Sequence, residues 1–195
     1  MLRRAIRTIL LLAALVGGVG LVYAFRPLSY PEKREKMIFA DLRSAEEPII
    51  VFGDSITELA PLPRELCGRK LVNAGIGGLR IKDFDEIAPR VVQQKRPFMI
   101  VIALGANDRG SEDAGSDASR LLRLLRHRSS KIISLSVTPD PKTDSLMKRA
   151  NEDAEILYVD ALLNDGDRKD GVHLNSDGYR KFIQALTSAA QDECH

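Results

Sequence analysis

The sequence predicts a three-layer α/β/α sandwich built on a parallel five-stranded sheet and preceded by an N-terminal hydrophobic helix. Three observations point there. Strand-like and helix-like segments alternate from residue 48 to residue 191, the pattern of successive βα units. The central strand candidate, FMIVIAL, is apolar at every position, as a parallel strand covered on both faces requires. Polar or glycine-rich clusters follow four of the five strands, at the carboxyl edge where such sheets gather function.

The chain has 195 residues, of which 44% are hydrophobic and 29% charged, enough apolar material for one packed domain plus a short appendage. Two cysteines exclude a disulfide-dense scaffold and a four-thiolate zinc site. The net charge is +2, but Arg3, Arg4 and Arg7 supply three positive charges before residue 26 with no acid beside them. The remainder is close to neutral, which argues against a nucleic-acid-binding body.

Residues Thr8 to Phe25 are uncharged. As a helix they would span roughly 27 Å, just short of a hydrocarbon core. Residues 1–25 therefore read as a signal-anchor or a signal peptide. An uncleaved anchor is the favoured reading, because the run is longer than a usual signal core and membrane helices tolerate Gly17, Gly18 and Gly20. Cleavage after the small-residue spacing Val22-Tyr23-Ala24 is the alternative. The leading arginines favour a cytoplasmic N-terminus with the body outside the cytoplasm. Export permits a disulfide, but Cys67 and Cys194 are separated by 126 residues, and two unrelated thiols is the expectation.

Residues 26–47 are expected to form a stalk and lead-in helix, with Arg26–Lys36 charged and proline-bearing and Met37–Ala45 half-amphipathic. The body would occupy residues 48–195. Strands are expected at Pro48–Phe52, Lys70–Asn73, Phe98–Leu104, Lys131–Val137 and Ile156–Val159. Helices are expected at Ile81–Gln94, Ser116–Arg128, Lys142–Ala154 and Ser176–Gln191. In SRLLRLLRHR, leucines 121, 122, 124 and 125 form one broad face with arginines opposite, a helix packed on a sheet with a solvated basic face.

The strand-end clusters are Gly53-Asp54-Ser55-Ile56-Thr57, Asn73-Ala74-Gly75-Ile76-Gly77-Gly78, Gly105-Ala106-Asn107-Asp108 and Asp170-Gly171-Val172-His173. Together they resemble the SGNH hydrolase superfamily, the GDSL-type esterases and lipases, whose GDS, glycine, GxND and DxxH blocks occur in this order. The resemblance covers about residues 48 to 190. It implies a flavodoxin-like sheet with strand order 2-1-3-4-5.

A serine hydroxyl needs a base to take its proton and a third group to orient that base. Of the three histidines, only His173 has a carboxylate at a useful fixed spacing, Asp170. Asp170 can bond one imidazole nitrogen while the other faces Ser55. Taken alone, His173 also suits a helix-entry position beside Asn175, a fitting N-cap; the other three blocks favour catalysis. The oxyanion of acyl transfer needs preorganised donors. Ser55 sits where a helix would begin and offers its own N–H. The resemblance adds the backbone N–H of Gly78, with Gly75 and Gly77 as neighbouring candidates, and the side-chain amide of Asn107. For Gly75 and Gly77 a tight turn at positive φ is an equal alternative. Asn73 and Asp54 are expected to bond nearby loop backbone, and Asp108 has no assigned role.

Several rivals fail on the residues. Thr57 breaks G-x-S-x-G, and Arg80 breaks the dinucleotide glycine pattern. Lys169 and Ser176 stand where a calcium loop beginning at Asp165 needs ligands. No metal, nucleotide or flavin is implied. The leading function is a serine esterase acting on short acyl groups carried by a small molecule, lipid or glycan, with the membrane as partner through the leader and no nucleic acid. An O-acyltransferase acting on a glycan and a catalytically idle binding module are the alternatives. The absence of long insertions between strands predicts a shallow, open site, where Leu59, Pro61 and Leu62 either line the pocket or cover the sheet. Cys67 lacks an adjacent histidine and offers no nucleophile. Activity is expected to fall as His173 takes a proton.

Overall fold

The computed structural model describes residues 26–194. The hydrophobic leader, with its anchor, signal and hydrophobic-helix readings, lies outside the described residues. Among the described residues no helix is long and apolar enough to cross a membrane. The chain divides into two units at Lys33–Arg34. In the first, the Ser29 N–H donates to Glu32 at 2.7 Å and Arg26 pairs with the same carboxylate, satisfying donors where a helix begins.

That helix, α1 (Tyr30–Arg43), starts seven residues before the half-amphipathic stretch, inside the segment expected as a stalk. Ile38 and Leu42, four residues apart on one face, are buried and hold it to the core. Then follow β1 (Ile49–Gly53), the single turn α2 (Ser55–Glu58), β2 (Glu65–Leu66), β3 (Arg69–Gly75), a 3-10 turn at Ile81–Asp83 and α3 (Phe84–Gln94). The remainder is β4 (Met99–Ala103), α4 (Ala114–Arg126), β5 (Ile132–Ser136), α5 (Pro141–Asp153), β6 (Leu157–Asp160), a 3-10 turn at Asp165–Asp167 and α6 (Ser176–Asp192).

The sheet has six strands in the order β2-β3-β1-β4-β5-β6. The expectation of five is corrected: β2 is a two-residue antiparallel partner of β3, with Glu65 opposite Lys70 and Leu66 opposite Arg69. The other five pair in parallel and, numbered among themselves, follow 2-1-3-4-5. Alternating strand residues feed two cores, as the period of two requires. Ile50, Phe52, Val72, Ile100 and Ile102 pack under α1, α3, α4 and α5. Ile49, Val51, Met99, Val101 and Leu135 pack under α2 and α6, the latter through Phe182 and Leu186.

Two further expectations are corrected. Leu121, Leu122 and Leu125 of α4 are buried, but Leu124 is 41% exposed, because at 100° per residue it falls roughly 110° from the centre of that stripe. Cys67 and Cys194 are not unrelated thiols: they form a disulfide, their Cα atoms 5.5 Å apart. The bond joins the β2–β3 turn to the end of α6, two places remote in sequence that the layered packing brings together.

Candidate active site

The first strand-end cluster becomes a turn from β1 into α2, and Asp54 is what shapes it. Its Oδ1 accepts from the Ile56 N–H at 2.9 Å, capping α2, and its Oδ2 accepts from the Ala106 N–H at 3.3 Å. Asp54 is fully buried, and that desolvation pushes its carboxyl up to about 6 against the pull of the two amides. Its expected structural role is met. Ser55 follows as the first residue of α2, where a backbone N–H has no intrahelical acceptor.

The last cluster forms the loop between the second 3-10 turn and α6. Asp170 Oδ1 accepts from the His173 N–H at 2.7 Å and from the Val172 N–H at 3.1 Å, while Oδ2 bonds His173 Nδ1 at 2.8 Å. The bond to the His173 ring, then that to its backbone, holds the Asp170 carboxyl down at about 2. An ionised Asp170 can only accept, so Nδ1 carries the imidazole proton and Nε2 presents a lone pair. Nε2 lies 3.0 Å from Ser55 Oγ. Ser55, His173 and Asp170 are thus joined in one chain of hydrogen bonds. Asn175 caps α6, accepting from the Asp177 and Gly178 N–H groups at 3.0 Å each. His173 lies in the loop two residues before this cap and faces Ser55.

The two middle clusters are tied together. Asn107 Nδ2 donates to the Leu79 carbonyl at 2.9 Å, leaving its second amide proton for another acceptor. Asp108 accepts from the Ile81 N–H at 3.2 Å, and burial pushes its carboxyl up. Gly78, the residue before Leu79, has φ +78° and is exposed, with nothing within 4 Å of where a Cβ would stand. Gly75 and Gly77 are not at positive φ, so the turn requirement falls on Gly78. Gly75 instead marks a close approach, its Cβ position lying 2.3 Å from the Glu58 N. Asn73 bonds nearby backbone as expected, donating to the Thr57 carbonyl at 2.8 Å and accepting from the Gly75 N–H at 3.0 Å.

Three residues with no motif of their own support these loops. Arg168, largely buried, donates to the carbonyls of Val172 at 2.6 Å and Val137 at 3.0 Å, bracing the His173 loop on β5. Burial lowers its guanidinium against the opposing pull of Asp165, Asp167 and Asp54. Arg34 and Glu58 hold the glycine loop, as detailed below. Apart from the Arg168–Val172 bond, which spans four residues, these contacts join residues brought near by the fold, so no local spacing marks them in the sequence.

The site is open: the side chains of His173 and Asp170 are 33% and 50% exposed. Leu59 is exposed, whereas Leu62 packs against the α2–α6 core. Pro61 and Leu62 line a surface groove of about 510 Å³ with Ala60, Leu71 and Asn73, a groove that does not include Ser55. Among the described residues no cluster of His, Cys, Asp and Glu could hold a metal ion.

No curated protein matches the chain. Solved structures do. A candidate acylhydrolase of Bacteroides fragilis superposes with a TM-score of 0.68 at 20% identity, covering 87% of this chain and all of its own. A GDSL-like lipase of Bacteroides thetaiotaomicron gives 0.61 at 20% identity, over 85% of this chain and 93% of its own. An acetylxylan esterase of Geobacillus stearothermophilus gives 0.54 at 19% identity, over 73% and 93%. At such identities the likeness is one of fold. The family model for GDSL-like lipases and acylhydrolases matches residues 51–181, about two thirds of the sequence. That span carries all four strand-end clusters on the elements described above, and the chain belongs to the GDSL-like lipase/acylhydrolase family.

Proposed function

We propose that this hydrolase is a serine esterase that cleaves carboxylic esters of short acyl groups through an acyl-enzyme on Ser55. One observation carries the reading: Ser55 Oγ, His173 and Asp170 form an unbroken chain with links of 3.0 and 2.8 Å. Ser55 Oγ attacks the ester carbonyl as His173 Nε2 takes its proton, and Asp170 stabilises the imidazolium that forms. The Ser55 and Gly78 N–H groups and the free amide proton of Asn107 receive the oxyanion. The tetrahedral intermediate then expels the alcohol, protonated by His173, and water repeats the sequence to release the acid. A third of the His173 side chain is exposed, giving water direct access for release of the acyl group.

The same openness, with the His173 and Asp170 side chains 33% and 50% exposed, supports the preference for short chains. The uncharged run Thr8–Phe25 behind basic residues and the Cys67–Cys194 disulfide both support placement of the catalytic domain outside the cytoplasm, held by its leader.

Hydrolysis of 4-nitrophenyl acetate, butyrate and palmitate by the full-length chain, beside Ser55→Ala, tests the proposal. The expected outcome is turnover that falls from acetate to palmitate and drops by at least about 10³-fold in folded Ser55→Ala. Equal turnover in the variant would remove Ser55 as nucleophile, and faster palmitate cleavage would remove the short-acyl preference.

A further inference from the structure

We propose that Arg34 and Glu58 are positioning residues, a shielded ion pair that fixes the Gly75–Gly78 loop and, through it, the Gly78 N–H relative to Ser55. This rests on the serine-esterase reading.

Glu58 is the last residue of α2, three residues after Ser55, so its carboxylate rides on the same turn as the nucleophile. Its Oε2 accepts from the Gly77 N–H at 2.6 Å. Its Oε1 lies 3.3 Å from Arg34 Nε, which also donates to the Gly75 carbonyl at 3.0 Å, while Arg34 Nη2 reaches the Asn73 carbonyl at 3.3 Å. Both side chains are about 15% exposed, sheltered enough for each to lose its counter-charge if the other is removed. The pair therefore grips the loop by two carbonyls and one amide and welds it to the nucleophile turn.

Gly78 needs such a grip. No side chain packs where its Cβ would be, so its position depends on the backbone either side. On one side Glu58 pins Gly77; on the other Asn107 pins the Leu79 carbonyl. Arg34 lies on α1, outside the residues 51–181 that match the family model, so this support comes from the helix preceding the matched segment. Neither Arg34 nor Glu58 touches the reacting atoms; both act through Gly78.

The test uses the full-length chain and the variants Glu58→Ala, Glu58→Gln and Arg34→Met. For folded protein, kcat and KM for 4-nitrophenyl acetate are measured beside inhibition by an aryl trifluoromethyl ketone, which adds to Ser55 and forms the oxyanion. Loss of one oxyanion donor costs on the order of 10²–10³ in rate, and misplacing one costs less. Glu58→Ala and Arg34→Met should therefore lower kcat by about tenfold to a hundredfold, keep KM within about threefold, and weaken ketone binding by the same factor as kcat. Glu58→Gln keeps an oxygen that can accept from Gly77 and should return kcat to within about fivefold of wild type. A merely structural role would lower stability without the matched loss in kcat and ketone binding. Folded Glu58→Ala with both quantities within about twofold of wild type overturns the proposal. Should it not fold, Glu58→Asp, too short to reach Gly77 but retaining the charge, carries the same expectation and the same overturning result. Absence of Ser55-dependent turnover in the wild type would strike the esterase reading instead, and the proposal with it.

Discussion

Asp54 and Asp170 are the same residue type in opposite surroundings, and pH separates them. Asp170, half exposed, is held down at about 2 first by its bond to the His173 side chain. A depressed carboxyl contributes stability above its unfolded value near 3.8 that is lost only as pH falls through about 2. Asp54 is raised to about 6 because it is buried without a cation at hydrogen-bond distance. A raised carboxyl contributes stability that is fully present below 3.8 and lost as pH climbs through about 6. Between pH 4 and 6 the two do not overlap. Relative to Asp54→Asn, the wild type should lose on the order of 3 kcal/mol of unfolding free energy as pH rises from about 4 to about 7. Urea melts of both proteins across that range measure it, and a constant difference would mean that Asp54 stays charged throughout.

The junction of α2 with the β3 loop is where an element-scale contact decides the geometry. Gly75 lets β3 end against the backbone of Glu58: a Cβ there would stand 2.3 Å from the Glu58 N and 2.7 Å from its Cα. Neither atom can move without moving Ser55. Gly75→Ala should therefore cost about 3 kcal/mol and lower Tm by roughly 10 °C. At Gly78 a Cβ meets open space and only its φ of +78° is unfavourable, so Gly78→Ala should cost only about 1 kcal/mol. Equal shifts in thermal melts would refute the distinction. The parallel strands and the later helices were legible because their periods of two and 3.6 run over enough residues, and the hydrogen-bonded chain of Ser55, His173 and Asp170 because GDS follows β1 and DxxH lies in the loop before α6. Two residues, Glu65 and Leu66, carry no period, so β2 was not legible. The first turns of α1 were hidden in PEKREK, whose charges suit a stalk as well as a helix. Arg34 and Glu58 stand 24 residues apart on separate elements, and only the crossing of α1 over the β3 end joins them.

At the scale of the whole molecule the Cys67–Cys194 bond closes a loop with a sequence separation of 127, from the start of β3 to the end of α6. That loop encloses Gly78, Asn107, Asp170 and His173, so almost the entire sheet edge bearing the site is covalently closed. Its partners could not be paired from the sequence, because nothing local links a turn after β2 to the residues just past α6. In the chain-entropy account, closure of a loop this long removes on the order of 4–5 kcal/mol of unfolded-state freedom. The native hydrogen bonds at Ser55 and His173 do not involve either sulfur. Reduction, or the double variant Cys67→Ser with Cys194→Ser, should therefore lower Tm by about 10–15 °C while kcat at 25 °C stays within about twofold. An unchanged Tm after complete reduction would mean that the bond contributes nothing to the fold. The same bond bears on location, since a reducing cytosol would leave both thiols free. Full-length protein taken from cells with thiols blocked at lysis should show Cys67 and Cys194 protected until reductant is added. Alkylation of both without reductant would place the domain on the cytoplasmic side and reverse the proposed orientation of the chain.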